Sequence, residues 1–170
     1  MARVKSNKYL RKFINYILLM ITIILLCVIS VKLHNIYKQN RLSTSVLTRT
    51  IGSINYDDIN NTIGELTSDD YIIISYVKSE NTRDIEKEIK NTIVDNNIQN
   101  NTYYLDVTDK MLEENFYQNL NSKFKLNNKI VSVPAILCYE DGKLIKIIDN
   151  TDGKISQKFE EYVESSTIRE

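Results

Sequence analysis

Histidine is nearly absent from this chain, with His34 standing alone in 170 residues. It directly follows an apolar run, which removes Ser-His-Asp and Cys-His nucleophilic centres and multi-histidine zinc sites from consideration. Cysteine is almost as scarce: Cys27 lies inside that apolar run and Cys138 far downstream, so no disulfide framework exists. The four glycines are scattered, leaving no glycine-rich phosphate loop. Asp57-Asp58 and Asp69-Asp70 sit in no glycine-containing calcium loop and read as solvated caps, so neither metal nor cofactor is expected. Tryptophan is missing, Pro134 is the one proline, and Asn, Ile, Lys and Tyr are abundant, a composition suggestive of a low-GC bacterium.

Acid is missing from the first stretch altogether. Residues 1–12 hold Arg3, Lys5, Lys8, Arg11 and Lys12, and without them the rest has 17 basic against 22 acidic residues, about −5. Phosphate contacts need Lys and Arg clustered on the folded part, so a nucleic-acid partner is not expected. The basic cluster belongs instead to a membrane anchor.

Residues 13–31 (FINYILLMITIILLCVISV) run for nineteen positions without a charge, enough at 1.5 Å per residue to cross the hydrocarbon core of a bilayer. A transmembrane helix over 13–33 is the expectation. A cleaved signal peptide would want a small-x-small site where Val28, Ile29, Val31 and Leu33 stand, and a lipoprotein would want a small residue in place of Leu26 before Cys27. Five basic residues precede the run, against Lys32, Lys38 and Arg41 after it, which favours a cytoplasmic N-terminus. Residues 34–44 read as a juxtamembrane stalk or a continuation of the helix, and 45–170 as one extracytoplasmic domain.

In that domain the apolar period keeps changing, the mark of alternating strands and helices. Residues 45–51 suggest a short first strand. Tyr56, Ile59, Ile63 and Leu66 make one helix face. Residues 71–77 (YIIISYV) suit a central strand buried on both faces. A helix capped by Asn81 or Thr82, with Asp84 and Glu86 in its first turn, presents Ile85, Ile89 and Ile93. After a strand at 102–107, Thr108 or Asp109 opens a helix carrying Leu112, Phe116, Leu120 and Phe124. Strands at 135–139 and 144–148 flank an Asp141-Gly142 hairpin signal. Ile155, Phe159 and Val163 mark a closing helix that frays from Ser165. Tyrosines among Tyr103, Tyr104, Tyr117 and Tyr162 offer a binding face, half of them turned inward by alternation.

The order β-α-β-α-β-α-β-β-α, together with Val131-Ser132-Val133-Pro134-Ala135 and the Tyr139-Glu140-Asp141-Gly142-Lys143 turn, resembles the thioredoxin family over roughly residues 45–165. The resemblance implies an α/β thioredoxin-like mixed sheet with helices on both faces and a cis Val133–Pro134 bond. It also implies a Cys-x-x-Cys at the start of the helix after the central strand, where helix dipole and exposure acidify the first thiol. The matching residues here are Thr82-Arg83-Asp84-Ile85. A threonine hydroxyl gives no thiolate near neutral pH and isoleucine has no sulfur, so dithiol exchange at that place is excluded.

In its tyrosine-ended central strand the chain is similar to thioredoxin-like accessory proteins of bacteriocin export in Gram-positive bacteria. The function expected is therefore that of a non-enzymatic, membrane-anchored binding or assembly module at the outer face of the cell membrane. Its partner would be a protein or peptide of the envelope, taken in a groove at Thr82, Arg83, Val133 and Pro134. Two rivals remain: an oxidoreductase working through Cys138, and an immunity protein whose transmembrane helix is the active part.

Overall fold

A computed structural model of the chain describes residues 2–66, 68–127 and 129–167. It divides into two compact units, residues 1–41 and 42–170. The first is a single helix, α1 (Ala2–Leu42), so residues 34–42 continue the helix, the alternative to a stalk, and only 43–44 lie beyond it. It is long and apolar enough to cross a membrane, and its side chains from Tyr9 to Tyr37 are exposed. Thr22 donates to the Leu18 carbonyl and Ser30 to that of Leu26, each at 2.8 Å, so both hydroxyls are satisfied within the helix as a lipid surrounding would require.

The second unit is built on a five-stranded sheet. Its elements are β1 (Gly52–Ile54), α2 (Ile59–Glu65), β2 (Asp70–Ser75), α3 (Glu80–Asp95), β3 (Thr102–Asp106), α4 (Phe116–Lys123), β4 (Ala135–Glu140), β5 (Lys143–Asp149) and α5 (Ile155–Thr167). The strand order is β1-β3-β2-β4-β5, with β1, β3 and β2 parallel and β4 and β5 antiparallel to their neighbours. This is the thioredoxin-like arrangement, and the Val133–Pro134 peptide is cis.

All six side chains of β2 are buried, and period-two alternation divides its apolar residues between two cores. Tyr71 and Ile73 face α3 and α5, packing with Ile89, Ile93, Phe159 and Val163. Ile72 and Ile74 face α2 and α4, packing with Ile59, Phe116, Leu120 and Phe124. In the β4–β5 turn Asp141 and Gly142 both have positive φ, as a two-residue type I′ hairpin demands. A Cβ on Gly142 would also lie 2.6 Å from the Leu66 carbonyl, so only glycine fits there.

Several expected elements are displaced. Residues 45–51 form no strand: Leu47 and Ile51 are core anchors on an irregular segment, and pairing with β3 begins at Gly52. The second helix is preceded by a 3-10 turn, Tyr56–Asp58. Helix α3 begins earlier than expected, with Ser79 as its cap accepting from the Thr82 N–H at 3.2 Å, so neither Asn81 nor Thr82 caps it. Leu112 sits on a separate 3-10 turn and is 90% exposed, because the break at Glu113–Asn115 resets the helical phase before Phe116. The closing helix continues through Thr167, past the expected fraying at Ser165, and the tail after it lies outside the described residues.

Candidate functional site

The register brings one end of the sheet together. Ser75, ending β2, pairs with Asp106, ending β3, while Ile74 pairs with Ala135, which opens β4. The β2–α3 turn, the β3–α4 loop and the approach to Pro134 therefore share an edge. Each is pinned from a neighbouring element. The Val77 N–H donates to Thr108 Oγ1 at 2.8 Å, and the Val107 N–H to the Ser75 carbonyl at 2.9 Å. On α4 the buried Asn121 amide grips Ile130 both ways, accepting its N–H at 2.9 Å and donating to its carbonyl at 2.8 Å. This sets the path of the chain into Val133–Pro134. A backbone hydrogen bond from Val133 reaches the Tyr117 hydroxyl.

Of the four expected groove residues, three are buried: Thr82 (1% exposed), Val133 and Pro134. Thr82 lies inside the first turn of α3 with its hydroxyl unpaired, and Arg83 is half-buried, its guanidinium donating to the Thr44 carbonyl at 2.8 Å. The side chains a partner could touch at this edge are their neighbours: Val77, Lys78, Ser79, Leu112, Tyr117 and Val131, the last 57% exposed. Lys78 has φ of 73°, a left-handed conformation costly for a residue with a Cβ, and it turns its N–H onto the Leu42 carbonyl at 2.8 Å. The tyrosine expectation divides as alternation suggests: Tyr104 and Tyr162 are buried, Tyr103 and Tyr117 reach the surface.

No thiol stands at this edge. The capped first turn of α3 reads Ser79-Glu80-Asn81-Thr82, and the expected motif positions Thr82 to Ile85 are equally free of it. Cys138 lies on β4 opposite Tyr71, three residues or about 10 Å along the strand from Ala135. It is fully buried, and burial pushes its thiol up to about 12, the reverse of what a reactive cysteine needs.

A residue expected only to complement the positive end of α3 proves to be a buried carboxylate. Glu86, on the second turn of α3, is 2% exposed. Its Oε2 accepts from Ser45 Oγ at 2.7 Å and from the Val46 N–H at 3.2 Å, and its Oε1 from Ser75 Oγ at 2.8 Å. The Tyr104 hydroxyl also faces this group. Burial raises the Glu86 carboxyl above the ordinary carboxylate range, while the three donors and the Arg83 charge pull the other way. A signal was present: Thr82, Glu86, Ile89 and Ile93 recur at four, three and four, the spacing of one helical face.

A scan against protein-family models finds no match, and a search of curated proteins finds none either. Among solved structures, mitochondrial thioredoxin 3 from Saccharomyces cerevisiae in its oxidised form is similar with a TM-score of 0.49 and 13% identity, over 70% of this chain and 98% of that one. Oxidised thioredoxin from Plasmodium falciparum gives 0.48 and 9%, over 68% and 97%. Likeness this distant says nothing of activity. The fold is thioredoxin-like on its own strand order and register.

Proposed function

We propose that this chain is a membrane-anchored, redox-inactive binding or assembly module, whose thioredoxin-like domain holds a protein or peptide of the cell envelope at the sheet edge around Val77–Ser79, Tyr117 and Val131. The observation that carries the reading is the separation of both thiols from that edge: one cysteine is in the apolar helix and the other is sealed in β4. The fold's exposed loops remain, with apolar side chains reaching water at Leu112, Tyr117 and Val131. The helix supplies the anchor, and the basic residues before it argue for a cytoplasmic N-terminus and a domain on the outer face. The likeness to accessories of bacteriocin export makes peptide export the first envelope process in which to look for a partner.

Site-specific photocrosslinking in intact cells tests this, with the crosslinker at Tyr117 or Lys78 and, as a control, at Glu160 on α5. The expected result is a discrete adduct from the edge positions only, lost in Val131→Asp, whose exposed side chain can change with a stability cost of about 0.5 kcal/mol or less. Equal adducts from Glu160, or an adduct indifferent to Val131→Asp, would remove the edge from the account.

A further inference from the structure

The segment between the apolar helix and the first strand, residues 43–51, belongs to no sheet or helix, yet it is fastened to the domain along its length. The Leu42 carbonyl at its start accepts from the Lys78 N–H, and the Thr44 carbonyl from the Arg83 guanidinium, each at 2.8 Å. Ser45 and Val46 hold Glu86, with the Ser45 hydroxyl also accepting from the Leu47 N–H at 3.1 Å. Leu47 and Ile51 then enter the core beside α3. Lys78, Arg83 and Glu86 all lie at or within the first two turns of α3, so the segment is laid across the part of the helix that adjoins the proposed partner-binding edge.

We propose that residues 43–51 form a strap, clasped by Glu86, that releases from the domain as a unit and thereby bares the first turns of α3. The clasp is one-sided. Oε1 is held by Ser75 of the sheet and Oε2 by the strap, so release leaves the carboxylate its bond to the sheet and costs the Arg83–Thr44 bond and the burial of Leu47 and Ile51. The strap has no ladder hydrogen bonds to strip, whereas the strands beneath it are cross-paired on both sides, and local opening follows the weakest set of contacts. Once free, its nine residues would serve as a tether of up to about 30 Å. The biological use of such an opening rests on the edge being where the partner binds; the opening itself does not.

Hydrogen exchange on the full-length protein in detergent micelles or nanodiscs tests the strap, following peptides that cover residues 42–51 against those from β2 and β4. In Ser45→Ala, which removes only the strap's hydroxyl, exchange in 42–51 should quicken about tenfold or more while β2 and β4 stay as protected as in the wild type. Glu86→Ala should do the same more strongly. Unchanged exchange in 42–51, or protection lost equally from the strands in Ser45→Ala, would overturn the proposal. No partner is needed for this measurement, so its failure would leave the docking reading standing, and failed crosslinking would leave the strap standing.

Discussion

Among the described residues the two faces of the sheet bury equal numbers of apolar side chains but solve different problems. Against α2 and α4 the core is hydrocarbon and aromatic ring, with Leu105, Leu120, Ile72 and Ile74 at its centre and the Asn121 amide at its margin. Against α3 and α5 an equally tight core, where the Tyr71 ring meets Phe159 edge-on at 5.5 Å, encloses a carboxylate, two serine hydroxyls and the Tyr104 phenol. The first face requires shape, with one polar clamp at its margin. The second also requires the Ser45, Val46 and Ser75 donors to keep their acceptor on Glu86, because an orphaned polar group in that setting costs more than a missing methylene.

The largest effects should come from volume and be the same on both faces. Phe159→Ala should cost about 3–5 kcal/mol and Leu120→Ala about 2–5 kcal/mol in chemical denaturation of the domain. A much smaller loss for either would show that its face collapses easily and that the two cores are not equally packed.

Next come the changes that separate the faces. Glu86→Ala strands the Val46 N–H and two hydroxyls and should cost roughly 2–3 kcal/mol, whereas Glu86→Gln keeps an acceptor for the strap and should stay within about 1 kcal/mol at neutral pH. Asn121→Ala, on the other face, should cost about 1–3 kcal/mol by freeing both polar groups of Ile130.

The pH response distinguishes them further. Because the folded carboxyl of Glu86 is raised, the native state holds that proton more tightly than the unfolded chain does. Its contribution is fully present below the unfolded value of about 4.3 and declines as pH rises toward the folded value. Denaturation midpoints for wild type and Glu86→Gln should therefore converge or cross at acidic pH and favour Gln as pH rises. Parallel curves would mean that Glu86 titrates as a surface carboxylate does.

The smallest expected effect lies at the β2–α3 turn, where Lys78→Gly relieves a left-handed Cβ and should gain at most about 1 kcal/mol.

What the sequence disclosed divides in the same way. The β2 run, the Ile155-Phe159-Val163 stripe and the Asp141-Gly142 turn were legible because apolar period and turn chemistry are local properties. Glu86 was misread because a charged residue early in a helix has a ready local explanation in the dipole, and only its tertiary donors say otherwise. Residues 45–51 were read as a strand because Val46, Leu47 and Ile51 are apolar, although two of them serve as anchors without a ladder. Thr82, Val133 and Pro134 do lie together at one end of the sheet. Their burial was not legible, since it depends on Arg83, Asn121 and Tyr117 meeting backbone distant in sequence.

Under the proposed function the thioredoxin-like frame works without thiol chemistry, and a disulfide-reductase assay on the purified full-length protein is the decisive experiment. With wild type or Cys138→Ser added, dithiothreitol should reduce insulin at the rate of the reductant alone. Turnover by the wild type that disappears in Cys138→Ser would contradict the account.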